Sequence, residues 1–292
     1  MYELIQAAGS TYYIDCPAKI GLCKLSENEV CLIDSGGDKD AGRKIRQILD
    51  ANAWKLKSIY LTHSHADHMG GAAYLQKQTG CSVYASGAEL AFTQYPELEA
   101  LSLFGAFPPK ILRHKFLLAA ACDAKPLTQD VLPDGFACIP LPGHCNDMIG
   151  LRTKDDVVFL GDCLASEQTL KKYRIVFAYD IEKYLQTLQT VKTLTAKTFV
   201  PAHAPVCTEI TALAQINIDE TLFLRDKLLA LCKEPILFEN LLKHLFDEFG
   251  LMMNMDQYVL VGSTVRSYLA WLYDSNCMDI VIEDNQILWK AK

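Results

Sequence analysis

Leu61-Thr62-His63-Ser64-His65-Ala66-Asp67-His68-Met69-Gly70-Gly71 places four metal-binding side chains within six residues, between an apolar run and a glycine pair. The chain has seven histidines, and three of them stand in this window beside an aspartate, a concentration that a solvated polar turn does not call for. The run before it, Leu56 to Leu61, reads as a buried strand. Gly70 and Gly71 read as a tight turn into a helix beginning near Ala72. The metal-binding side chains therefore lie on a strand-to-helix loop. His63 and His65, two residues apart, point the same way from extended backbone, whereas Asp67 and His68 follow the turn and face a second position. The pattern is that of half a dinuclear metal site.

Three further segments repeat one design downstream. Phe136 to Pro140 reads as a strand that delivers His144, Asp156 to Leu160 as a strand that delivers Asp162, and Lys197 to Pro201 as one that delivers His203. Each presents one ligating side chain where the backbone leaves the sheet, which is how separated strands build a preformed open site. Upstream, Cys31 to Gly37 reads as an early strand ending in Asp34.

These motifs, His-x-His-x-Asp-His with Gly70-Gly71, then Pro142-Gly143-His144, Leu160-Gly161-Asp162 and Pro201-Ala202-His203, resemble the signature of the metallo-β-lactamase fold superfamily and its glyoxalase-II-like branch. The resemblance runs over roughly residues 10–208 and implies an α/β fold, a four-layer αβ/βα sandwich. It implies that His63, His65 and His144 hold one divalent ion and Asp67, His68 and His203 a second, with Asp162 bridging both and Asp34 supporting from behind. Asp67 and Asp162 are then also the catalytic carboxylates. Zinc is the default metal for such a set, with iron and manganese as alternatives. The implied reaction is attack of a metal-activated hydroxide on a small ester, thioester or lactone. Where glyoxalase II members continue with Thr and a second Pro-Gly, this chain has Cys145-Asn146-Asp147-Met148, and Ala202 and Ala204 flank His203 where glycines are common. Specificity for glutathione thioesters therefore does not carry over. Cys145 and Cys163 read as structural, pointing away if their neighbours His144 and Asp162 point in.

Two alternatives share the ligand set. One is a nuclease or phosphodiesterase of the same fold, and the other an iron-dependent persulfide dioxygenase. Flavodiiron members generally carry glutamate where His65 stands, which sets that branch aside. No Gly-x-Ser-x-Gly elbow or phosphate-cradling glycine loop competes.

The 292 residues suffice for one large core and a small appended module. The boundaries read as 1–210 for the metal-binding domain, with an insertion at about 88–132, and 215–292 for the module. A net charge of −7 disfavours nucleic acid and anionic membranes as partners and leaves a small-molecule substrate. Eleven cysteines without a repeating spacing point to reduced thiols. With no run of about eighteen apolar residues and no signal-peptide pattern at the N-terminus, the expected location is the cytoplasm.

The insertion is too apolar for a solvated loop: Phe92, Tyr95, Leu103, Phe107 and Leu117 need partners. It forms either a helical cap over the metal cleft, or a surface packed on the sheet or across a homodimer interface. Lys171, Lys172 and Tyr173 read as a cleft-facing loop that contacts substrate. Beyond Gln215, three helical segments (218–232, 238–249 and 261–273) precede a hairpin at 278–289, an order that looks like a winged-helix-like domain. From Asp219 onward there are twelve acidic residues against seven Lys and Arg, and the third helix offers only Arg266, so the module reads as a packing or substrate wall rather than a DNA reader.

Overall fold

Strand-period alternation places successive side chains on opposite faces of a sheet, and here both faces are covered. The computed structural model describes residues 2–292. Its first half runs β1 (Glu3–Ala8), β2 (Thr11–Asp15), β3 (Ile20–Lys24), β4 (Glu29–Ile33), α1 (Lys39–Ala51), β5 (Lys55–Tyr60), α2 (Ala66–Met69), α3 (Ala72–Thr79), β6 (Ser82–Ala85), α4 (Gly87–Gln94), α5 (Glu97–Phe104) and β7 (Ala124–Pro126). The second half runs β8 (Ala137–Pro140), β9 (Ile149–Arg152), β10 (Val157–Phe159), α6 (Glu167–Tyr173), α7 (Ile181–Lys192), β11 (Thr198–Val200), α8 (Thr211–Leu231), β12 (Ile236–Leu237), α9 (Phe238–Phe249), α10 (Met255–Asp274), β13 (Met278–Glu283) and β14 (Gln286–Ala291).

β1 to β7 form one sheet in sequence order, antiparallel up to β4 and parallel from β4 to β7. β11-β10-β9-β8 form the second. In β10, Val157 and Phe159 face inward and meet Cys31, Ile33 and Tyr60 of the first sheet, while Val158 and the following Leu160 face outward. The outer face of the first sheet packs Leu22, Leu32 and Ile59 against Ile45 and Leu49 of α1 and Leu75 of α3. The outer face of the second packs Val158 and Phe199 against Leu188 and Val191 of α7. The result is a helix–sheet–sheet–helix stack, the α/β sandwich that the motifs imply. Burial of each large side chain in these layers contributes about 1.5–3 kcal/mol.

Between Lys39 and Ala51 apolar residues recur at helical spacing among charges, which predicts a surface helix, and α1 forms there. Asp38 caps it, its carboxylate accepting from the backbone N–H groups of Asp40 and Ala41, both at 3.0 Å. α8 already begins at Thr211 and shares the outer core of α7 with α9, α10 and Met278. The tail therefore continues that layer, with a three-stranded sheet in the order β12-β14-β13 at its edge. Among the described residues no helix is long and apolar enough to cross a membrane.

The 88–132 segment supplies α4, α5 and the edge strand β7. Leu103, Leu112 and Leu117 close on Val259 of α10, whereas Tyr95, Phe107, Ile111 and Phe116 stay exposed. The segment thus packs on the sheet edge and on α10, and, as shown below, also brings a carboxylate to the centre.

Candidate metal centre

All the signature loops leave the C-terminal ends of their strands and meet above the same edge of the sandwich. Gly70 and Gly71 are needed there for space. Both adopt right-handed helical angles rather than the sharp turn expected from sequence, but a β-carbon on Gly70 would lie 2.3 Å from the Gly37 backbone and one on Gly71 2.2 Å from the Ser35 carbonyl oxygen. The loop after β4 is thereby pressed against the metal loop. Gly71→Ala is expected to destabilise the fold by about 1–3 kcal/mol through overpacking. Urea unfolding checks this, and a midpoint equal to that of the parent chain would contradict the close-approach account. Gly143 answers to both constraints, with φ at +122° and a β-carbon position 2.3 Å from the Tyr184 backbone.

Four of the five histidines at the centre are oriented by an acceptor at Nδ1. His68 Nδ1 meets Asp34 Oδ2 at 2.7 Å, His144 Nδ1 meets the Phe177 carbonyl at 3.0 Å, and His203 Nδ1 meets the Pro17 carbonyl at 2.9 Å. His63 Nδ1 lies 3.0 Å from Thr62 Oγ1. That hydroxyl donates its one proton to Asp34 Oδ2 at 2.8 Å, so it accepts from His63. In each case Nδ1 carries a proton and Nε2 faces the centre as the atom available to a metal, which would displace any proton there. His65 is turned the other way: its Nδ1 lies 3.0 Å from His144 Nε2, and its Nε2 lies 3.5 Å from Glu99 of α5.

Asp162 occupies the middle. Its Oδ2 is 3.2 Å from His203 Nε2, 3.7 Å from His144 Nε2 and 4.0 Å from His63 Nε2, and its Oδ1 is 3.0 Å from His68 Nε2. Asp67 Oδ2 lies 3.1 Å from His203 Nε2 and 3.7 Å from His68 Nε2. The carboxylates and imidazoles fall into two clusters, His63, His65, His144 with Cys145, and Asp67, His68, Asp162, His203. Burial pushes His63 below its ordinary value and His144 down to about 4, so both are neutral. Burial opposes charge on His68 as well, but Asp162, Asp67 and Asp34 raise it well above the usual imidazole range. Asp162 lifts His203 to about 10. Burial would raise Asp67, but His68 and His203 hold it down at about 2.

Three buried atoms at the centre have no hydrogen-bond partner: His63 Nε2, His68 Nε2 and Asp162 Oδ1. The last two approach each other without hydrogen-bond alignment. Orphaned buried lone pairs are costly, and divalent cations at this spot would satisfy all three with nitrogen and oxygen donors of the right kind. The residues fit a metal.

Comparison with known proteins now decides the family. Residues 14–203 match the family model described as the metallo-beta-lactamase superfamily. The chain belongs to that superfamily. Among curated relatives, it is 30% identical over 156 residues to a hydroxyacylglutathione hydrolase of Haemophilus influenzae, covering 47% of this chain and 62% of that one. It is 23% identical over 193 residues to an atrochrysone carboxyl ACP thioesterase of Aspergillus fumigatus, covering 65% and 52%. The matched region thus spans a little over half the length of these relatives. A metallo-beta-lactamase family protein of Thermus thermophilus shares the fold with a TM-score of 0.75 at 18% identity, over 97% of this chain and 99% of that one.

Within this superfamily frame the structure brings together all seven of the ligating side chains read from sequence, with Asp34 behind His68. Of the three substrate-contact residues, Tyr173 lines the adjoining cavity, but all three lie on helix α6 rather than on a loop. Lys171 pairs with Glu167 on the surface, and Lys172 Nζ lies 3.0 Å from the Tyr173 hydroxyl. Cys163 is in the core, as expected. Cys145 is not turned away: its Sγ lies 3.3 Å from His65 Nε2. The strand rule that pointed it outward fails because the chain turns at Gly143. Glu89 accepts from Ser64 N–H at 3.0 Å, Ser64 Oγ at 2.6 Å and Asp147 N–H at 3.2 Å, tying the metal loop to the loop after His144. Nothing in the sequence marked Glu89 or Glu99, which come from helices with no motif.

Proposed function

We propose that this chain is a hydrolase that uses two divalent ions to cleave a small ester, thioester or lactone. The observation that carries the reading is Asp162, whose two oxygens reach toward His63 and His144 on one side and His68 and His203 on the other. His63, His65 and His144 would hold one ion, Asp67, His68 and His203 the other, and Asp162 both. Zinc suits this imidazole-rich set, with iron and manganese as alternatives. Bound ions would supply Lewis acidity and bring the pKa of bound water to about 7. The chain's own contribution is to fix the tautomers, aim the lone pairs and exclude bulk water. The expected result is hydrolysis of a thioester reporter that is lost on chelation and restored by zinc; activity that survives complete metal removal would end this reading.

Glu99 extends it. With His65 offering Nδ1 to the centre, its Nε2–H points at the Glu99 carboxylate, the arrangement in which an outer carboxylate orients a metal-bound imidazole. Burial raises the Glu99 carboxyl and His65 draws it back down. Glu99→Ala is expected to weaken binding of the ion at His63, His65 and His144 about 10- to 100-fold, with Glu99→Gln intermediate. Competition against a chelator of known affinity checks this, and unchanged affinity in both variants would show Glu99 to be a bystander.

The tail's order of helix, strand, two helices and two strands, with its sheet order β12-β14-β13, supports a winged-helix-like reading used as a wall. The nuclease alternative draws no support from α10, where the guanidinium of Arg266 lies 4.0 Å over the Phe238 ring.

A further inference from the structure

We propose that the cavity beside Asp162 takes the acyl part of the substrate, which must be uncharged and apolar, while the leaving alcohol or thiol lies in a separate groove that carries charged pairs. The inference rests on the hydrolase reading above and adds the substrate class. The cavity has a volume of about 230 Å³ and opens on His144, Asp162 and His203 at one end. Its walls are Leu164 just after Asp162, Ile175 and Phe177 before α7, and Leu260 and Val261 of α10. No Lys or Arg lines it, and Asp162 is its one acid. The other polar lining residues, Thr169, Tyr173, Tyr184, Gln257 and Thr264, are uncharged, and the hydroxyl of Thr264 is already committed, donating to the Leu260 carbonyl at 3.2 Å and accepting from Ala178 N–H at 3.3 Å. Away from the end at His144, Asp162 and His203, a carboxylate or phosphate on the acyl group would meet no counter-charge, a burial that costs several kcal/mol, so acyl groups charged at their far end are disfavoured.

The second space differs in chemistry. A groove of about 730 Å³ begins at Asp67 and holds two ion pairs, Lys115 with Asp38 at 3.1 Å and His114 with Asp256 at 2.9 Å, among apolar neighbours such as Pro17, Phe116 and Leu117. The two spaces share Tyr173, Gln257 and Leu260. A substrate lying across this junction places its scissile carbonyl beside Asp162 and His203, with the apolar arm toward α10 and the polar arm toward Lys115. Water adds across the bond, the acyl–oxygen or acyl–sulfur bond breaks, and the products are a carboxylic acid and the free alcohol or thiol.

The test is kcat/KM for a series of straight-chain acyl thioesters of one thiol, from acetyl to dodecanoyl, with succinyl and glutaryl members included, on the zinc-loaded chain. The expected result is a rise of about fourfold per added methylene, the factor equivalent to about 0.8 kcal/mol, up to an optimum set by the cavity, and a steep loss for the acidic members. Val261→Phe should move the optimum to shorter chains and Leu260→Ala to longer ones. Opposite shifts keep the test meaningful even if one variant folds poorly. Hydrolysis with no chain-length preference, or equal use of succinyl, would overturn the acyl assignment and leave the hydrolase reading intact. If no thioester is cleaved, binding of octanamide against acetamide, followed by magnetic resonance on the same chain, separates the two claims. Preferential octanamide binding contacting Val261 keeps the cavity as an apolar-chain site without the hydrolase, and no preference overturns both.

Discussion

Asp162→Ala is expected to lower hydrolysis by about 10³-fold or more and to take bound metal with it. Asp162 is the one carboxylate that approaches members of both histidine clusters, at 3.0 Å from His68 Nε2 and 3.2 Å from His203 Nε2 on one side, and 3.7 Å from His144 Nε2 on the other. Its removal takes away the shared ligand and leaves two positions of lower charge and lower coordination. It also removes the anion that holds His68 and His203 in their charged forms, so the metal-free chain changes too. Asp162→Asn separates charge from shape, because it keeps one carbonyl oxygen and the volume. Metal analysis after gel filtration, with melting temperature as the control for folding, is the measurement. A folded Asp162→Ala chain that retains its full metal content would refute the bridging role.

Asp34→Asn should have an effect nearly as large although the side chain touches no ion. Asp34 Oδ1 accepts from Thr62 N–H at 2.8 Å, and its Oδ2 accepts both from Thr62 Oγ1 at 2.8 Å and from His68 Nδ1 at 2.7 Å. It does so from a left-handed backbone with φ of +64°, a conformation that asparagine tolerates nearly as well as aspartate. The Asn side chain therefore fits and its oxygen still receives the Thr62 N–H. Its amide, however, donates where the carboxylate accepted. Toward His68 this forces the proton from Nδ1 to Nε2, so the lone pair no longer faces the centre. Toward Thr62 it frees the hydroxyl proton, which then turns to His63 Nδ1 with the same result. One substitution reverses two ligands through hydrogen bonds alone. The expected loss is at least about 10- to 100-fold in metal affinity, with the metal-free chain destabilised less than by Asp34→Ala. Asp34→Ala, by contrast, leaves Thr62 N–H, Thr62 Oγ1 and His68 Nδ1 without their buried acceptor and should cost about 3–5 kcal/mol. Equal metal affinity for the parent and Asp34→Asn chains would show that tautomer control lies elsewhere.

The sequence made the centre legible because its chemistry is local. His63 to His68 form one window, and His144, Asp162 and His203 each follow a short apolar strand within four residues, so the strand ends mark where they emerge. α1 was readable at its full length because its apolar spacing and the Asp38 cap agree. Local rules failed where tertiary contact decides. The alternation rule turned Cys145 outward, but Gly143 breaks the strand before it. Gly70 and Gly71 looked like a turn, whereas the reason for them lies at Gly37 and Ser35, more than thirty residues earlier in the chain. Glu99 reaches His65 from a helix that carries no ligand motif. Lys171 to Tyr173 look like a loop, but Ser166 caps a helix there, its hydroxyl accepting from Thr169 N–H at 3.1 Å. The apolar insertion lay between two readings because Leu103 and Leu112 find their partner, Val259, in the distant C-terminal tail.

The central claim is a two-ion hydrolytic centre, and metal content decides it most directly. The chain is purified without added metal, and the same sample is assayed for its metals and for hydrolysis of a thioester and a phosphodiester reporter. The account predicts about two zinc or manganese ions per chain and preference for the thioester. A single iron with neither reporter hydrolysed would contradict it.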